Sequence, residues 1–133
     1  MQQAHQRAKT ISVFIAEDHA AVRERIVALL TGTGLFQVVG EAGSPAEAIE
    51  GILRTRPDAV VLDIHLLGGN GLQVVKSIHP LRPDVHFVVL TNHPNAQYRK
   101  AFMAAGADCV LDKSTEFPNL PQTLQQAHRR CAQ

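Results

Sequence analysis

The feature that most constrains this chain is a fivefold alternation of short apolar runs with helix-patterned stretches. The runs are Ile11–Ala16, Phe36–Val39, Ala59–Leu62, His86–Leu90 and Cys109–Leu111. They are rich in Val, Ile, Leu and Phe and show little in/out alternation, which is how strands buried on both faces read. After the first run, Val22, Ile26, Leu29 and Leu30 share one helical face, with Arg23, Glu24 and Arg25 between them. Ser44-Pro45-Ala46-Glu47 reads as a capping box with Pro at the first helical position. Ala48, Ile49, Ile52 and Leu53 supply that helix's stripe, which Pro57 ends. Leu72, Val75 and Ile78 mark a third helix, stopped by Pro80. A fourth starts at Asn95 and ends at Gly106, a residue suited to a left-handed cap, and a fifth runs from about Pro118 to Cys131. Five βα units in strict succession predict an α/β fold: a parallel sheet, doubly wound, with helices on both faces.

This pattern uses up the chain. Its 133 residues match one domain of ordinary size, ~100–150 residues, long enough to hold a core without disulfide or metal staples. With 45% hydrophobic and 19% charged residues, a disordered chain is excluded. Lys plus Arg is 13 against Asp plus Glu at 12, a formal charge of +1, which exerts no general pull toward nucleic acid or a membrane. Apolar runs of about five residues fall far short of the ~20 needed for a span. The polar opening, residues 1–10, is expected to be a disordered lead rather than a signal peptide, with one domain over 11–133. Cys109 and Cys131, at no motif spacing, read as reduced thiols of a cytoplasmic protein.

The residues that close the apolar runs carry the chemistry. Glu17 and Asp18 follow the first run, Asp63 the third, Thr91 the fourth, and Lys113 comes after Asp112 at the end of the fifth. The carboxyl ends of parallel strands share one edge, and ligands of open α/β sheets bind outside that edge where the strand order reverses. Three carboxylates held close repel and take up protons unless a cation joins them. Oxygen-only donors of this kind suit Mg2+, which keeps several waters and adds phosphate oxygens. A carboxylate can itself attack phosphorus to give an aspartyl phosphate, and the transferred group then needs positive charge and donors on its equatorial oxygens. Asp63 is the expected nucleophile, because a central strand places it deepest. Glu17 and Asp18, together with Asp63, are the expected metal ligands, and Lys113 and Thr91 the expected donors to the phosphoryl group. Any one of these residues alone reads as a helix cap, a turn residue or a solvated lysine. Complementary groups at four strand ends of five are hard to produce by capping alone.

The segments VFIAEDHAAVRERI, VVLDIHLLGGNGL, VVLTNHP and AGADCVLDKS resemble the receiver domain of bacterial two-component response regulators, over about Ile11 to Cys131. GEAGSPAEAI further resembles the receivers of LuxR-type transcription regulators. The resemblance implies a flavodoxin-like (βα)5 fold with strand order 2-1-3-4-5. It implies phosphorylation on Asp63, metal binding by Glu17 and Asp18, and phosphoryl binding and relay by Thr91 and Lys113. The implied partners are a histidine kinase or phosphotransfer protein, with small acyl phosphates as substitute donors, and an output protein; a homodimer stays open. No nucleic-acid contact is expected through this domain, and no enzymatic activity beyond self-phosphorylation and slow autodephosphorylation.

The chain departs from the family at several places. Val110, three residues before Lys113, stands where the family usually has an aromatic ring that moves with the threonine. Ser114 replaces a proline that is common after the lysine, and Asn92 a residue that is usually small. Leu67 replaces a proline often found after the phosphoacceptor, and the three glycines of LLGGNG point to a mobile loop. His65 and His93 lie two residues past Asp63 and Thr91, positions that in the family border the path of the hydrolytic water. Tyr98, Arg99 and Lys100, with Gln122, Gln125 and Gln126, fall on the family's usual output face. Three readings are compatible with this pattern. One is a stand-alone receiver, favoured by Met1 and the full fifth helix. Another is the receiver part of a longer LuxR-type DNA-binding regulator. The third is a pseudo-receiver acting without phosphorylation, supported by Val110 and Ser114 and opposed by the intact Asp63, Thr91 and Lys113.

Overall fold

In the computed structural model, which describes residues 10–92 and 95–132, the five runs become five strands. They are β1 Ile11–Ala16, β2 Phe36–Ala42, β3 Ala59–Asp63, β4 His86–Thr91 and β5 Cys109–Asp112. The helices between and after them are α1 Ala20–Thr31, α2 Pro45–Thr55, α3 Gly71–Ile78, α4 Ala96–Ala105 and α5 Leu120–Ala132. All strand pairs of this sheet are parallel, in the order β2-β1-β3-β4-β5, the flavodoxin-like arrangement. The chain runs outward from β1 to β2, then crosses back to β3, so the order reverses between β1 and β3 and opens a crevice at their carboxyl ends.

Residue alternation along the strands divides the core between the two faces. Phe14, Ala16, Val60 and Leu62 point to one side, where they meet Ile52 of α2, Val74, Val75 and Ile78 of α3, and Phe102 of α4. Val13, Ile15 and Val61 point to the other, against Ile26 and Leu30 of α1 and Leu120 and Leu124 of α5. The Phe14 ring needs two glycines. A Cβ on Gly40 would lie 2.7 Å from Phe14 Cε2, and one on Gly51 would lie 2.6 Å from the same atom.

Helix ends follow local chemistry. Ser44 accepts the Glu47 N–H at 3.3 Å ahead of Pro45, and Asn95 accepts the Tyr98 N–H at 2.9 Å. Gly106, at φ 120°, closes α4 in the left-handed region. Asn70 and Gln73 form a complete capping box at the start of α3.

Three elements differ from the sequence expectation. β2 continues past Val39 to Ala42, because as an edge strand it tolerates exposed Gln37 and Glu41. Pro118 lies in a 3-10 turn, Phe117–Asn119, and the last α-helix begins only at Leu120. The glycine-rich stretch after Asp63, expected as a mobile loop, is instead a small antiparallel hairpin pairing His65–Leu66 with Gly69–Asn70, and Gly68 at φ 82° makes its turn. Leu66 anchors it in the core. Residues 1–9 of the expected disordered lead, and His93, lie outside the described residues.

Candidate functional site

Strand register brings the predicted residues to one level. Ala16 pairs with Leu62, Asp63 with Leu90, and Thr91 with Asp112, so Glu17, Asp63, Thr91 and Lys113 all emerge at the same edge. Glu17 and Thr91 are each 1% exposed and Asp63 7%, an unusual depth for two acids. The Lys113 ammonium joins the acids. Its Nζ donates to Glu17 Oε1 at 2.8 Å and to Asp63 Oδ2 at 3.1 Å. The Lys113 N–H donates to the Thr91 carbonyl at 2.8 Å, which ties the ends of β4 and β5 together.

The acids respond differently to the shared site. Burial pushes the Asp63 carboxyl up, the Glu17 charge pushes it further, and the Lys113 ammonium only partly offsets the two. Burial also raises Glu17, but its bonds from Lys113 and His19 outweigh that and hold it below the usual carboxylate range. Burial lowers Lys113, yet the two carboxylates more than compensate and leave it above the ordinary lysine value.

Asp18 stands nearer solvent, with its Oδ1 buried and without a hydrogen bond. Beside it, His19 precedes α1 as its N-cap residue but makes no side-chain cap. Its Nδ1 turns back instead to lie 3.2 Å from Glu17 Oε2 and 3.0 Å from Asp18 Oδ1. One donor atom from each of Glu17, Asp18, His19 and Asp63 lies within 4.8 Å of the others. Sequence reasoning missed His19. A histidine just before a helix reads as a poor cap, and only the backbone turn shows where its ring goes.

Asp63 opens into a cleft of about 510 Å³ whose lining also includes His19, Arg25, His65, Lys113 and Phe117. The Arg25 guanidinium covers the Phe117 ring at 4.6 Å. Asn92 lines the same cleft. His65 is exposed at its rim and meets Tyr98 of α4 edge to face, ring centroids 6.4 Å apart. Val110 is buried with Phe102 on the α4 side of the sheet. After Lys113 the chain turns on Asp112, whose Oδ1 accepts from Ser114 N at 2.9 Å and from Ser114 Oγ at 2.6 Å. Every peptide bond among the described residues is trans, including that before Ser114.

Residues 13–125 match the family model of the response regulator receiver domain. The chain belongs to that family. It is 37% identical over 115 residues to the DNA-binding transcriptional activator DevR/DosR of Mycobacterium tuberculosis, covering 86% of this chain and 53% of that protein. It is 32% identical over 123 residues to the nitrate/nitrite response regulator protein homolog of Haemophilus influenzae, covering 92% of this chain and 57% of that one. Among solved structures it superposes with a two-component response regulator of the LuxR family from Aurantimonas sp. SI85-9A1 at a TM-score of 0.86 and 26% identity, covering 91% of this chain and 86% of that one. The chain thus spans about half the length of the curated relatives it matches. It is a receiver domain of two-component response regulators, and its acidic pocket can hold a metal ion. The buried Asp18 Oδ1, which makes no hydrogen bond, and the carboxylates of Glu17 and Asp63 close to it fit a divalent cation. No helix among the described residues is long and apolar enough to cross a membrane.

Proposed function

We propose that this receiver accepts a phosphoryl group on Asp63 in a Mg2+-dependent reaction and that the change at Asp63 switches its contacts with an output protein. The observation that carries the reading is the buried Lys113 ammonium bridging Glu17 and Asp63 at the sheet's carboxyl edge. Asp63, at the end of the central strand, supplies the attacking carboxylate oxygen. A new oxygen–phosphorus bond forms as the donor's phosphorus–nitrogen or phosphorus–oxygen bond breaks, and the donor leaves with that bonding pair. Lys113 and Thr91 stand at the same edge, placed to meet the phosphoryl oxygens. Glu17, Asp18 and Asp63 would hold Mg2+, which would supply positive charge to those oxygens. The donor is a histidine kinase or phosphotransfer protein in the cytoplasm, and the chain's own chemistry is limited to self-phosphorylation and slow autodephosphorylation.

One specific observation favours a second reading for the whole protein, that of a longer LuxR-type regulator. The chain covers 53% of a relative named as a DNA-binding transcriptional activator. Any DNA contact would then lie outside this domain.

Beryllofluoride, a stable mimic of the aspartyl phosphate, tests the site. With Mg2+ present, fluorine NMR is expected to show a bound beryllofluoride signal in the wild type and none in Asp63→Asn. Absence of that signal in the wild type would refute the reading and leave the pseudo-receiver.

A further inference from the structure

We propose that Arg25 selects the small phosphodonors of this receiver. Its guanidinium, held over Phe117 in the wall of the cleft before Asp63, captures the dianionic phosphoryl group of an acyl phosphate and favours it over a donor whose phosphoryl charge is offset by an ammonium. The inference deepens the phosphoacceptor reading given above and rests on it. Arg25 exchanges no bond. Asp63 still attacks phosphorus, and the acyl phosphate's carboxylate leaves with the phosphorus–oxygen bonding pair.

The charges around the cleft carry the argument. At the sheet edge the carboxylates of Glu17, Asp18 and Asp63 gather around one ammonium, that of Lys113, which Glu17 and Asp63 already share. Such an edge repels an incoming dianion unless a further cation draws it in. Arg23 on α1 is committed elsewhere. Its guanidinium donates to the Glu17 carbonyl at 2.7 Å, and its Nε lies 3.3 Å from Glu41 Oε1. Arg25, two residues on, lines the same cleft as Asp63 and Lys113. Among the described residues it makes no hydrogen bond or ion pair. Its guanidinium carbon instead stands 4.6 Å from the centroid of the Phe117 ring. Phe117 is itself half-buried, in the 3-10 turn that leads into α5. A guanidinium restrained over a ring keeps its N–H groups open, and it grips phosphoryl oxygens in pairs.

Intact-mass time courses of the full chain with Mg2+ test this, comparing acetyl phosphate with phosphoramidate, whose ammonium offsets its phosphoryl charge. Because Arg25 is exposed on α1, its replacement leaves the core untouched. At about 0.1 M salt, where the screening length is about 10 Å, Arg25→Gln is expected to slow uptake from acetyl phosphate about fivefold and from phosphoramidate less than about twofold. Arg25→Lys, which keeps the charge, should recover most of that loss. At about 1 M salt, where screening shortens to about 3 Å, wild type and Arg25→Gln should converge. Equal losses with the two donors, a loss that survives high salt, or no loss at all would overturn the proposal, as would a wild type that takes nothing from acetyl phosphate. Fluorine NMR with saturating beryllofluoride separates this from the parent reading. A bound signal in wild type and in Arg25→Gln is expected. Its loss in Arg25→Gln alone would make Arg25 a structural part of the site and overturn the capture role. Its absence from the wild type would remove the phosphoacceptor reading, and the Arg25 proposal with it.

Discussion

Replacing Lys113 with methionine keeps the apolar stem and removes the ammonium from a site that is almost fully closed. Nζ lies 2.8 Å from Glu17 Oε1 and 3.1 Å from Asp63 Oδ2, so each gross attraction is roughly 5–6 kcal/mol at an effective dielectric constant of about 20. Desolvation of a side chain only 10% exposed cancels part of that. Removing one partner of a buried ion pair costs about 3–5 kcal/mol, because the charge left behind is uncompensated. Here two carboxylates are left together, and they relieve the strain by taking up a proton.

The loss is therefore pH-dependent, and its direction follows from the shifts. Lys113 is raised above 10.5, so its contribution is complete below that value and is lost only at higher pH. In the wild type, Glu17 is held down, so its contribution is present above the ordinary carboxylate value and disappears as pH falls through the folded value. Asp63 is raised by burial and by Glu17, so its ionisation opposes folding as pH climbs above the ordinary carboxylate value. Without the ammonium both acids are raised. The native variant then binds more protons than its unfolded chain and loses stability as pH rises from the carboxylate range toward neutrality. At pH 7.5 the expected loss is about 3 kcal/mol, and urea unfolding followed by circular dichroism should show a midpoint lower by about 1.5 M for an m value of about 2 kcal/mol/M. At pH 5 the drop should be clearly smaller. An equal drop at both pH values, or none at 7.5, would refute the electrostatic account.

Packing and capping give two further tests. Gly51→Ala, which in an open helix gains up to about 1 kcal/mol, should instead cost about 1–2 kcal/mol in urea unfolding, because the new Cβ meets a Phe14 ring already confined by Gly40; a gain would contradict this packing. Asn95→Ala removes the acceptor for the Tyr98 N–H and should cost about 1 kcal/mol. Hydrogen exchange at the Tyr98 amide should quicken, and unchanged protection would show that the cap does not hold α4.

The fold was legible because both layers of evidence in the sequence agreed. Strands such as Ala59–Leu62 are apolar throughout, and the helices carry stripes bounded by Ser44-Pro45, Asn95 and Gly106, each found at a helix end, although Ser44 and Glu47 form only half of the expected capping box. The grouping of Glu17, Asp63, Thr91 and Lys113 was also legible, since a parallel sheet places every strand's carboxyl end on one edge. What escaped depends on the path of a loop or on an edge. The end of β2 reads as polar because its exposed face needs no apolar residue. The hairpin after Asp63 reads as a loop because its order comes from Leu66 entering the core and from the Asn70–Gln73 box, not from its glycines. The direction of the His19 ring follows from backbone geometry at a helix start, which no residue pattern encodes. Phe14's dependence on Gly40 and Gly51 is a contact between three elements, so no single stretch of sequence displays it.

The most direct test of the central claim is intact-mass spectrometry after incubation with acetyl phosphate and Mg2+, with Asp63→Asn alongside. One added phosphoryl group is expected on the wild type, lost when Mg2+ is chelated and absent from Asp63→Asn. No added mass on the wild type, or the same added mass on Asp63→Asn, would contradict the assignment of Asp63 as phosphoacceptor.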